Sequence, residues 1–345
     1  MRALVVGLGS IGRRHARNWA ALGLGPLSVC RRITSETREA LGVEAREFSD
    51  LDAALNEQPD AVLVTNPTSL HVETACKALR AGAHVFLEKP LGHSMDGVVE
   101  MLGQARDRKR QLMVGYNLRF HPGLHRIKEL LTERAVGRVV SARVEAGEYL
   151  PDWHPWEDYR HAYSARRDLG GGPVLTFSHE LDAACWLLGA PSRVIGMATQ
   201  ASSLEIDTED TAEIVLQFAD GRLASVHVDF VRRPPRRSLE VVGENGVLRW
   251  EYDEGRVLHY SPPTRQWRVE EGDPRFERND MFLDELRHFV GCVRGEIERP
   301  LIDGEQGAAV LAIALAGLRS SATGGAVDLR TQGEPITTWL SSLGR

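Results

Sequence analysis

The sequence lacks the features that mark several classes of protein. Its longest strongly apolar stretch, residues 308–318, is about half of the ~20 residues that a membrane-spanning helix needs. Basic residues number 42 against 48 acidic ones, for a net charge of −6, so there is no basic footprint for nucleic acid. No charged region and cleavage site follow Met1, as a signal peptide would require.

Cysteine is also scarce. The four cysteines stand singly, at Cys30, Cys76, Cys185 and Cys292. Because no two of them have a Cys-x-x-Cys spacing, the pattern argues against a disulfide framework and against a zinc site. We therefore expect a soluble, cytoplasmic protein without a metal site, a nucleic-acid partner or a membrane partner.

The first 120 residues alternate short apolar runs with helical patterns. The runs without polar alternation are Leu4–Val6, Leu27–Cys30, Ala61–Val64, Val85–Leu87 and Leu112–Val114. Such runs are typical of parallel strands covered on both faces. Between them, Ser49–Asp52 has the composition of a helix start and His71–Ala81 the pattern of a helix. Residues 1–120 are predicted to form a doubly wound α/β domain with a parallel sheet.

The pattern changes after His121-Pro122. Strict period-two alternation, typical of an antiparallel sheet with one wet face, occurs in Val140–Ala146, Ala212–Phe218 and Leu248–Tyr252. Asn245-Gly246 predicts a hairpin turn. Helical spacing is found in Leu124–Thr132, Phe282–Val293 and Gly307–Leu318. Residues 121–345 are predicted to form a second, α+β domain with a large, mostly antiparallel open sheet.

A glycine motif follows the first apolar run directly. Gly7, Gly9 and Gly12 form G-x-G-x-x-G, with Ser10 and Ile11 between the last two, and a helical pattern begins there. In a dinucleotide-binding turn the three glycines allow the tight turn, the approach of the backbone to a pyrophosphate, and close helix–strand packing. The helix N-terminus then faces the anion. The motif in this context predicts dinucleotide binding.

The end of the second predicted strand bears on which dinucleotide binds. NAD-specific turns usually place an acid there, about 20 residues after the glycines. This sequence has Arg31 and Arg32, and its first acid is Glu36. A guanidinium binds a 2′-phosphate through charge-assisted hydrogen bonds, so NADP(H) is preferred and NAD(H) is possible. The alternative is that both arginines face solvent.

The motifs quoted so far occur with four others in a fixed order. These are Thr65-Asn66-Pro67-x-x-x-His71, Glu88-Lys89-Pro90, Gly115-Tyr116-Asn117-x-Arg119-Phe120, and Gly170-Gly171-Gly172 continuing to His179. Together they resemble the Gfo/Idh/MocA family of oxidoreductases over essentially the whole chain. The resemblance implies a Rossmann domain followed by a domain whose open sheet often mediates oligomerisation. A homo-oligomer, a dimer or a tetramer, is therefore expected.

The resemblance also implies which residues bind the dinucleotide. They are Gly7, Gly9, Ser10, Ile11, Gly12, Arg31, Arg32, Asn66, Pro67, His71, Glu88 and Lys89. The lysine of Glu-Lys-Pro lies beside the nicotinamide and the substrate hydroxyl in the family, so Lys89 is implied as a catalytic residue. His179 is the candidate acid/base, since its ordinary pKa of ~6.5 suits proton exchange.

The surroundings of His179 depart from the family pattern. Many relatives carry an aspartate four residues before this histidine, whereas this sequence has Leu175. The polar side chain next to that position is that of Thr176. Either Asp182 orients His179 or no residue does.

A long aromatic stretch, Tyr149–Arg160, precedes the glycines and contains several prolines. Aromatic faces pack on sugars and arginines bind carboxylates or phosphates. The alternative is that the tryptophans pack the loop onto the domain or onto a neighbouring subunit. The predicted substrate-binding residues are Lys89, Asn117, Arg119, Trp153, Trp156, Tyr163, Arg166, Thr176 and His179. The stretch is similar to a branch of the family associated with bacterial surface sugars, which implies an activated or acidic sugar.

Three functions remain open from the sequence. The first is an NADP-preferring dehydrogenase or reductase that transfers hydride at a CH–OH group of a sugar. The second is a glycoside-processing enzyme that keeps a bound NAD for transient oxidation. The third is a dinucleotide-binding regulator without catalysis, which the retention of Lys89 and His179 disfavours.

Overall fold

The computed structural model describes residues 1–31, 41–253, 255–270 and 275–343. The chain forms two compact units. The first comprises Met1–Asn117 and Glu277–Gly307, and the second comprises Leu118–Phe276 and Ala308–Arg345. In the described ranges no helix combines the length and the apolar character needed to cross a bilayer.

The sheet of the first unit is parallel throughout. Its strands are β1 Ala3–Val6, β2 Leu27–Cys30, β3 Arg46–Phe48, β4 Ala61–Val64, β5 His84–Glu88 and β6 Leu112–Gly115. They lie in the order β3-β2-β1-β4-β5-β6. Every residue of β1 and β4 is buried, as expected for strands covered on both faces. The predicted doubly wound parallel sheet is confirmed.

The helices of the described residues include those predicted from the sequence pattern and others that the pattern did not predict. They are α1 Ser10–Ala21, α2 Leu51–Asn56, α3 His71–Arg80, α4 Val98–Asp107, α5 Pro122–Thr132, α6 Pro173–Thr176, α7 Ser178–Leu188, α8 Arg278–Arg294, α9 Gly304–Thr323 and α10 Ile336–Leu340. The start predicted near Asp50 is confirmed, because its carboxylate accepts a 2.7 Å hydrogen bond from the Ala53 backbone.

The sheet of the second unit has nine strands. They are β7 Val139–Gly147, β8 Arg193–Thr199, β9 Thr211–Gln217, β10 Leu223–Asp229, β11 Arg236–Gly243, β12 Gly246–Glu251, β13 Arg256–Ser261, β14 Gln266–Glu270 and β15 Val327–Asp328. The order is β14-β13-β12-β11-β7-β10-β9-β8-β15. All neighbouring pairs are antiparallel except β7 and β10. The predicted mostly antiparallel sheet is confirmed.

The alternation in sequence becomes two faces of this sheet. In β9, Ala212, Ile214 and Leu216 are buried whereas Glu213 is exposed. The predicted hairpin turn at Asn245-Gly246 connects β11 to β12. The last paired residues before the turn are Gly243 and Gly246. The buried face packs under α6 and α7, and every residue of α7 is buried.

The division of the chain differs from a single boundary at residue 120. The first unit ends at Asn117 and then regains Glu277–Gly307. This return brings α8 against α1. The predicted helix at Phe282–Val293 is present, but local periodicity does not indicate which unit it packs on.

Candidate functional site

The glycine turn after β1 is held by close contacts that exclude side chains. Gly7 has φ +96°, and a Cβ at this position would lie 2.6 Å from the Asn66 backbone nitrogen. A Cβ on Gly12 would collide with the Gly7 carbonyl oxygen. Both positions therefore require glycine, the first for its backbone conformation and the second for the packing of α1 on β1.

Gly9 differs from the other two glycines of the turn. A Cβ there would meet nothing within 4 Å, so the space over the first turn of α1 is open. Gly9 is the N-cap of α1 and provides no side-chain cap, which leaves the first-turn N–H groups of the helix for an anion. This open cradle, which a side chain would fill, fits the pyrophosphate of a dinucleotide at Ser10 and Ile11.

The loop after β4 is tied to the loop after β5 by His71. The Nδ1 of this buried ring lies 2.8 Å from the Pro90 carbonyl oxygen, and Nε2 lies 2.9 Å from the Asn66 carbonyl oxygen. Burial lowers the pKa of His71, so the neutral ring donates to one of these two carbonyls at a time. The predicted cofactor residues Asn66 and Pro67 thus belong to the same connected edge as Pro90.

Only one of the two polar atoms of the Asn66 side chain makes a hydrogen bond to the described residues. Its amide nitrogen donates to Thr74 Oγ1 at 2.9 Å. Its Oδ1 is buried and has no hydrogen-bond partner among the described residues. A buried acceptor beside the glycine turn fits a hydrogen-bond donor of a bound ligand.

Glu88, at the end of β5, fixes the peptide of Lys89. One carboxylate oxygen accepts a hydrogen bond from the Lys89 backbone at 3.1 Å, and the other lies 2.7 Å from His15 Nε2. Burial alone would raise the pKa of Glu88, but the hydrogen bond and charge of His15, aided by the charge of Lys89, hold it below its ordinary value. Lys89 is half-buried and follows the carboxyl end of the strand directly.

A second buried carboxyl lies near this pair. Glu285, on α8, is fully buried, and neither of its oxygens has a hydrogen-bond partner among the residues that the structure describes. Burial, together with the charge of Glu88, raises the pKa of Glu285 well above its ordinary value. The fold therefore favours the neutral form of Glu285 over its charged form.

The structure describes only the first of the two arginines at the end of β2. Arg31 pairs with Glu47 of β3, with Nη2 at 3.1 Å from a carboxylate oxygen. Arg32 lies outside the described residues, so its predicted contact stays a prediction.

In the second unit, the predicted acid/base lies just after a break between two helices. α6 ends at Thr176 and α7 begins at Ser178, with Phe177 between them. Leu175 and His179 therefore lie on different helices and do not share one continuous helical face. Thr176 and His179 are both buried, with 3% and 8% of their surfaces exposed.

Asp182, one turn beyond His179, is held by Arg119. The Arg119 Nη2 and Nε donate to the two carboxylate oxygens at 2.7 and 3.0 Å, and the exposed fractions of both side chains are 1% or less. Burial raises the pKa of Asp182, and the charge and hydrogen bonds of Arg119 oppose that effect. This bidentate contact ties Arg119 to α7 in the interior of the unit.

This pairing places Arg119 in the interior, away from solvent, and its predicted role in substrate binding stays a prediction. Asn117 is also buried, at 6% exposure. It is the last residue of the first unit and begins the 3₁₀ segment Asn117–Phe120.

The aromatic stretch contains one packed tryptophan and one exposed tryptophan. The Trp153 ring lies 5.6 Å from the ring of Phe177 and 5.4 Å from that of Phe230, edge to face in both cases. Trp156 is 75% exposed. Packing of the loop onto its own unit thus accounts for Trp153, whereas nothing in that interior accounts for Trp156.

Two further residues of the predicted substrate set lie on the surface of this stretch. Tyr163 is 36% exposed. Arg166 forms an exposed pair with Asp168, with Nη2–Oδ2 at 2.6 Å.

Sequence reasoning missed His15, Glu47 and Glu285. The sequence does contain a signal for Glu285. This acidic residue falls within the apolar helical stripe that contains Phe282 and Phe289. Glu47 gave no signal, since it pairs with Arg31 only through the lateral contact of two strands.

Comparison with known proteins agrees with this architecture. Residues 1–116 match the model of an oxidoreductase family with an NAD-binding Rossmann fold, and residues 124–249 match the model of the GFO/IDH/MocA C-terminal domain. The 1,5-anhydro-D-fructose reductase of Ensifer adhaerens is 29% identical over 93% of this chain and 94% of its own length. The myo-inositol 2-dehydrogenase of Thermotoga maritima is 27% identical over 93% of this chain and 96% of its own length.

Among solved structures, the WlbA dehydrogenase of Bordetella pertussis in complex with NADH and UDP-GlcNAcA superposes with a TM-score of 0.81. It is 24% identical, and the match covers 95% of this chain and 97% of that one. This likeness shows the same fold. With both family models matched in order along one chain, the protein belongs to the Gfo/Idh/MocA family of oxidoreductases.

Proposed function

We propose that the protein transfers a hydride between a sugar carbon, as secondary alcohol or ketone, and a nicotinamide dinucleotide, with NADP(H) preferred and NAD(H) accepted. One observation carries this proposal. The glycine turn follows β1, Asn66 follows β4, and Lys89 follows β5, and these three strands are neighbours in one parallel sheet. Ligands of such sheets bind at the carboxyl ends of the strands.

In this proposal Lys89 acts on the substrate oxygen. A bound nicotinamide would supply the hydride acceptor or donor. The ammonium group of Lys89 would stabilise the negative charge that develops on the oxygen as the hydride leaves the carbon. The fixed peptide supports this role, because Glu88 holds the Lys89 N–H and His71 holds the Pro90 carbonyl. A side chain on a fixed backbone loses less freedom when it acts.

His179 is proposed to exchange the hydroxyl proton at a ring nitrogen. His179 lies at the start of α7, a helix whose residues are all buried. The backbone that carries its imidazole is therefore held in place. Asp182 is committed to Arg119, so the proposal assigns it no part in orienting His179.

The substrate is proposed to be a sugar or sugar derivative, including nucleotide-linked and acidic ones. The support is the nature of the relatives, which include a reductase of an anhydro-sugar, a dehydrogenase of inositol and a dehydrogenase solved with a nucleotide-linked acidic sugar. Trp156 and Tyr163 are the exposed aromatic residues that we assign to the sugar face.

A homo-oligomer through the nine-stranded sheet is part of the proposal. Three large apolar side chains on its outer face, Ile195, Met197 and Leu223, are 49%, 75% and 46% exposed. An apolar row on a sheet face is typical of an interface between subunits.

The test is a redox assay of Lys89→Met against the wild-type protein. A panel of free, acidic and nucleotide-linked sugars is offered with NADP⁺ and NAD⁺, and the absorbance of the reduced nicotinamide is followed. Lys89→Met is expected to lower turnover by about a hundredfold or more, which is the usual range for a proton-transfer or charge-stabilising group. Dinucleotide affinity, measured by fluorescence, should change little.

Lys77→Met serves as the control. Lys77 lies in the last turn of α3 and pairs with Asp52 and Glu73 on the surface, so its loss should leave turnover unchanged. Full activity in Lys89→Met would contradict the proposal. Glycoside cleavage without net change in nicotinamide would favour the enzyme with permanently bound NAD, and ligand-dependent binding without turnover would favour a regulator.

A further inference from the structure

The end of β2 carries an ion pair that the sequence did not predict. The guanidinium Nη2 of Arg31 lies 3.1 and 3.4 Å from the two carboxylate oxygens of Glu47. The Arg31 side chain is only 15% exposed, and that of Glu47 is 39% exposed. The nearly buried arginine therefore has a carboxylate partner at the strand end where a Rossmann fold reads the adenosine ribose.

The backbone builds this pair. β2 and β3 are parallel, with Val29 opposite Glu47 and Cys30 opposite Phe48. Because side chains alternate along a strand, Arg31 lies on the same face as Val29 and hence on the same face as Glu47. The Arg31 N–H also donates to the Phe48 carbonyl at 3.0 Å, which continues the pairing of the two strands to the arginine itself.

The two members of the pair favour different dinucleotides. A guanidinium favours the 2′-phosphate of NADP(H), which carries negative charge. A carboxylate repels that phosphate, and it is the group that NAD-specific turns use for the 2′-hydroxyl. The acid that is absent from the end of β2 is thus present on β3, directly beside the arginine.

We infer that Glu47 sets the preference between NAD(H) and NADP(H) by neutralising Arg31. The inference rests on the dinucleotide-binding part of the proposed function and concerns specificity, not catalysis. In the wild-type protein the 2′-phosphate must compete with Glu47 for Arg31, so the preference for NADP(H) is modest. Removal of the carboxylate charge takes away this competitor for the Arg31 Nη2 group and sharpens that preference.

The experiment is a fluorescence titration of the full-length protein, stripped of dinucleotide, with NADPH and NADH. In Glu47→Gln the ratio Kd(NADH)/Kd(NADPH) is expected to rise by about fivefold to tenfold over the wild-type ratio, the size of one charge-assisted contact at a partly exposed site. Thermal unfolding of each variant checks that it is folded.

The matched control is Glu57→Gln. Glu57 is a partly exposed acid that pairs with Arg46, the residue before Glu47, at 2.9 Å. The substitution Glu57→Gln removes the same charge from a neighbour of β3 without touching Arg31. Its Kd ratio should equal that of the wild-type protein.

Arg31→Gln tests whether Glu47 acts through the arginine. Alone, it should weaken NADPH binding more than NADH binding. In the Arg31→Gln background, Glu47→Gln should raise the ratio much less, because only the direct repulsion between Glu47 and the phosphate is then removed. If the ratio rises equally in both backgrounds, Glu47 acts by general repulsion and the inference fails.

Two further results separate this inference from the proposed function. If both dinucleotides bind but Glu47→Gln has the wild-type ratio, the inference is overturned while dinucleotide binding stands. If neither dinucleotide binds any variant, wild type included, the proposed function fails and the role of Glu47 fails with it.

Discussion

Each unit places a buried carboxylate beside a proposed catalytic residue, and the two carboxylates have different partners. In the first unit, Glu88 directly precedes Lys89 and contacts the His15 ring at 2.7 Å. In the second, Asp182 lies one turn beyond His179 and accepts hydrogen bonds from two nitrogens of Arg119. Arginine keeps its charge at every accessible pH and offers several donors at once, whereas the His15 ring offers Glu88 a single nitrogen.

The difference separates a carboxylate with a permanent cation from one that lies near a second acid. Asp182 has one permanent cation that matches both its oxygens. Glu88 lies close enough to the buried acid Glu285 for the charge of Glu88 to add to the effect of burial and raise the pKa of Glu285. The surroundings of His179 are therefore expected to be insensitive to pH, and those of Lys89 are expected to respond to it.

The largest expected effect comes from breaking the fixed pair. Arg119→Gln leaves the Asp182 carboxylate buried without its cation, so we expect a loss of about 3–5 kcal/mol in the free energy of unfolding. Urea denaturation measures this loss. Without the guanidinium only burial acts on the pKa of Asp182, and it raises that pKa, so the loss should grow as the pH rises and the carboxyl ionises.

Arg166→Gln is the control for that variant. It removes an arginine that also pairs with an aspartate in the second unit, but the Arg166–Asp168 pair is on the surface. Its unfolding curve should overlap that of the wild-type protein. Equal curves for Arg119→Gln and Arg166→Gln would show that the buried pair does not stabilise the unit.

A smaller effect is expected at the Glu88–His15 contact. His15→Gln offers Glu88 an amide donor in place of the ring and removes the charge of His15 that acts on Glu88, so the expected cost is about 1–3 kcal/mol, that of a weakened hydrogen bond to a buried carboxylate. The pKa of Glu88 should rise toward its ordinary value, since His15 is the main group that lowers it. Urea denaturation in a pH series that extends below the ordinary pKa of glutamate measures both.

His227→Gln provides the comparison for this variant. His227 also contacts two carboxylates, Glu213 at 2.8 Å and Asp229 at 3.1 Å, but its side chain is 31% exposed. A loss smaller than that of His15→Gln is expected because water replaces the lost contacts. A larger loss at His227 would reverse the argument from burial.

The sequence predicts the strands and helices around both carboxylates better than it predicts their side-chain contacts. The apolar runs locate five of the six parallel strands, but β3 is missed because Arg46 and Glu47 are polar and only Phe48 is apolar. Its position depends on backbone pairing with β2. Periodicity describes the face that a segment buries and carries no information on such lateral neighbours.

The site shows the same limit. The motifs single out Lys89 and His179, whereas the partner of Asp182 is 63 residues away in the chain and cannot be found from spacing. The interruption at Phe177, which separates Leu175 from His179, is likewise a property of backbone conformation. Pairings across the fold had to come from the structure.

The last expected effect concerns Glu285, and it appears as a dependence of stability on pH and not as a fixed loss. In the unfolded chain this carboxyl ionises near its ordinary pKa of ~4.3, while in the folded protein burial and Glu88 keep it neutral to a much higher pH. The folded state thus holds one proton more over that window, so the stability of the wild-type protein falls as pH rises through it. The Glu285→Gln variant has no ionisable proton at this position.

Glu285→Gln should therefore gain stability relative to the wild-type protein by up to about 1.4 kcal/mol for each pH unit above ~4.3, until the folded protein also ionises. Urea denaturation of both proteins from pH 5 to pH 8 measures the difference. Glu296→Gln, a loss of an exposed acid just beyond the end of α8, should give a difference that is flat over this range. A flat difference for Glu285→Gln as well would mean that Glu285 ionises in the fold as it does in the unfolded chain, and the two units would then not differ in their response to pH.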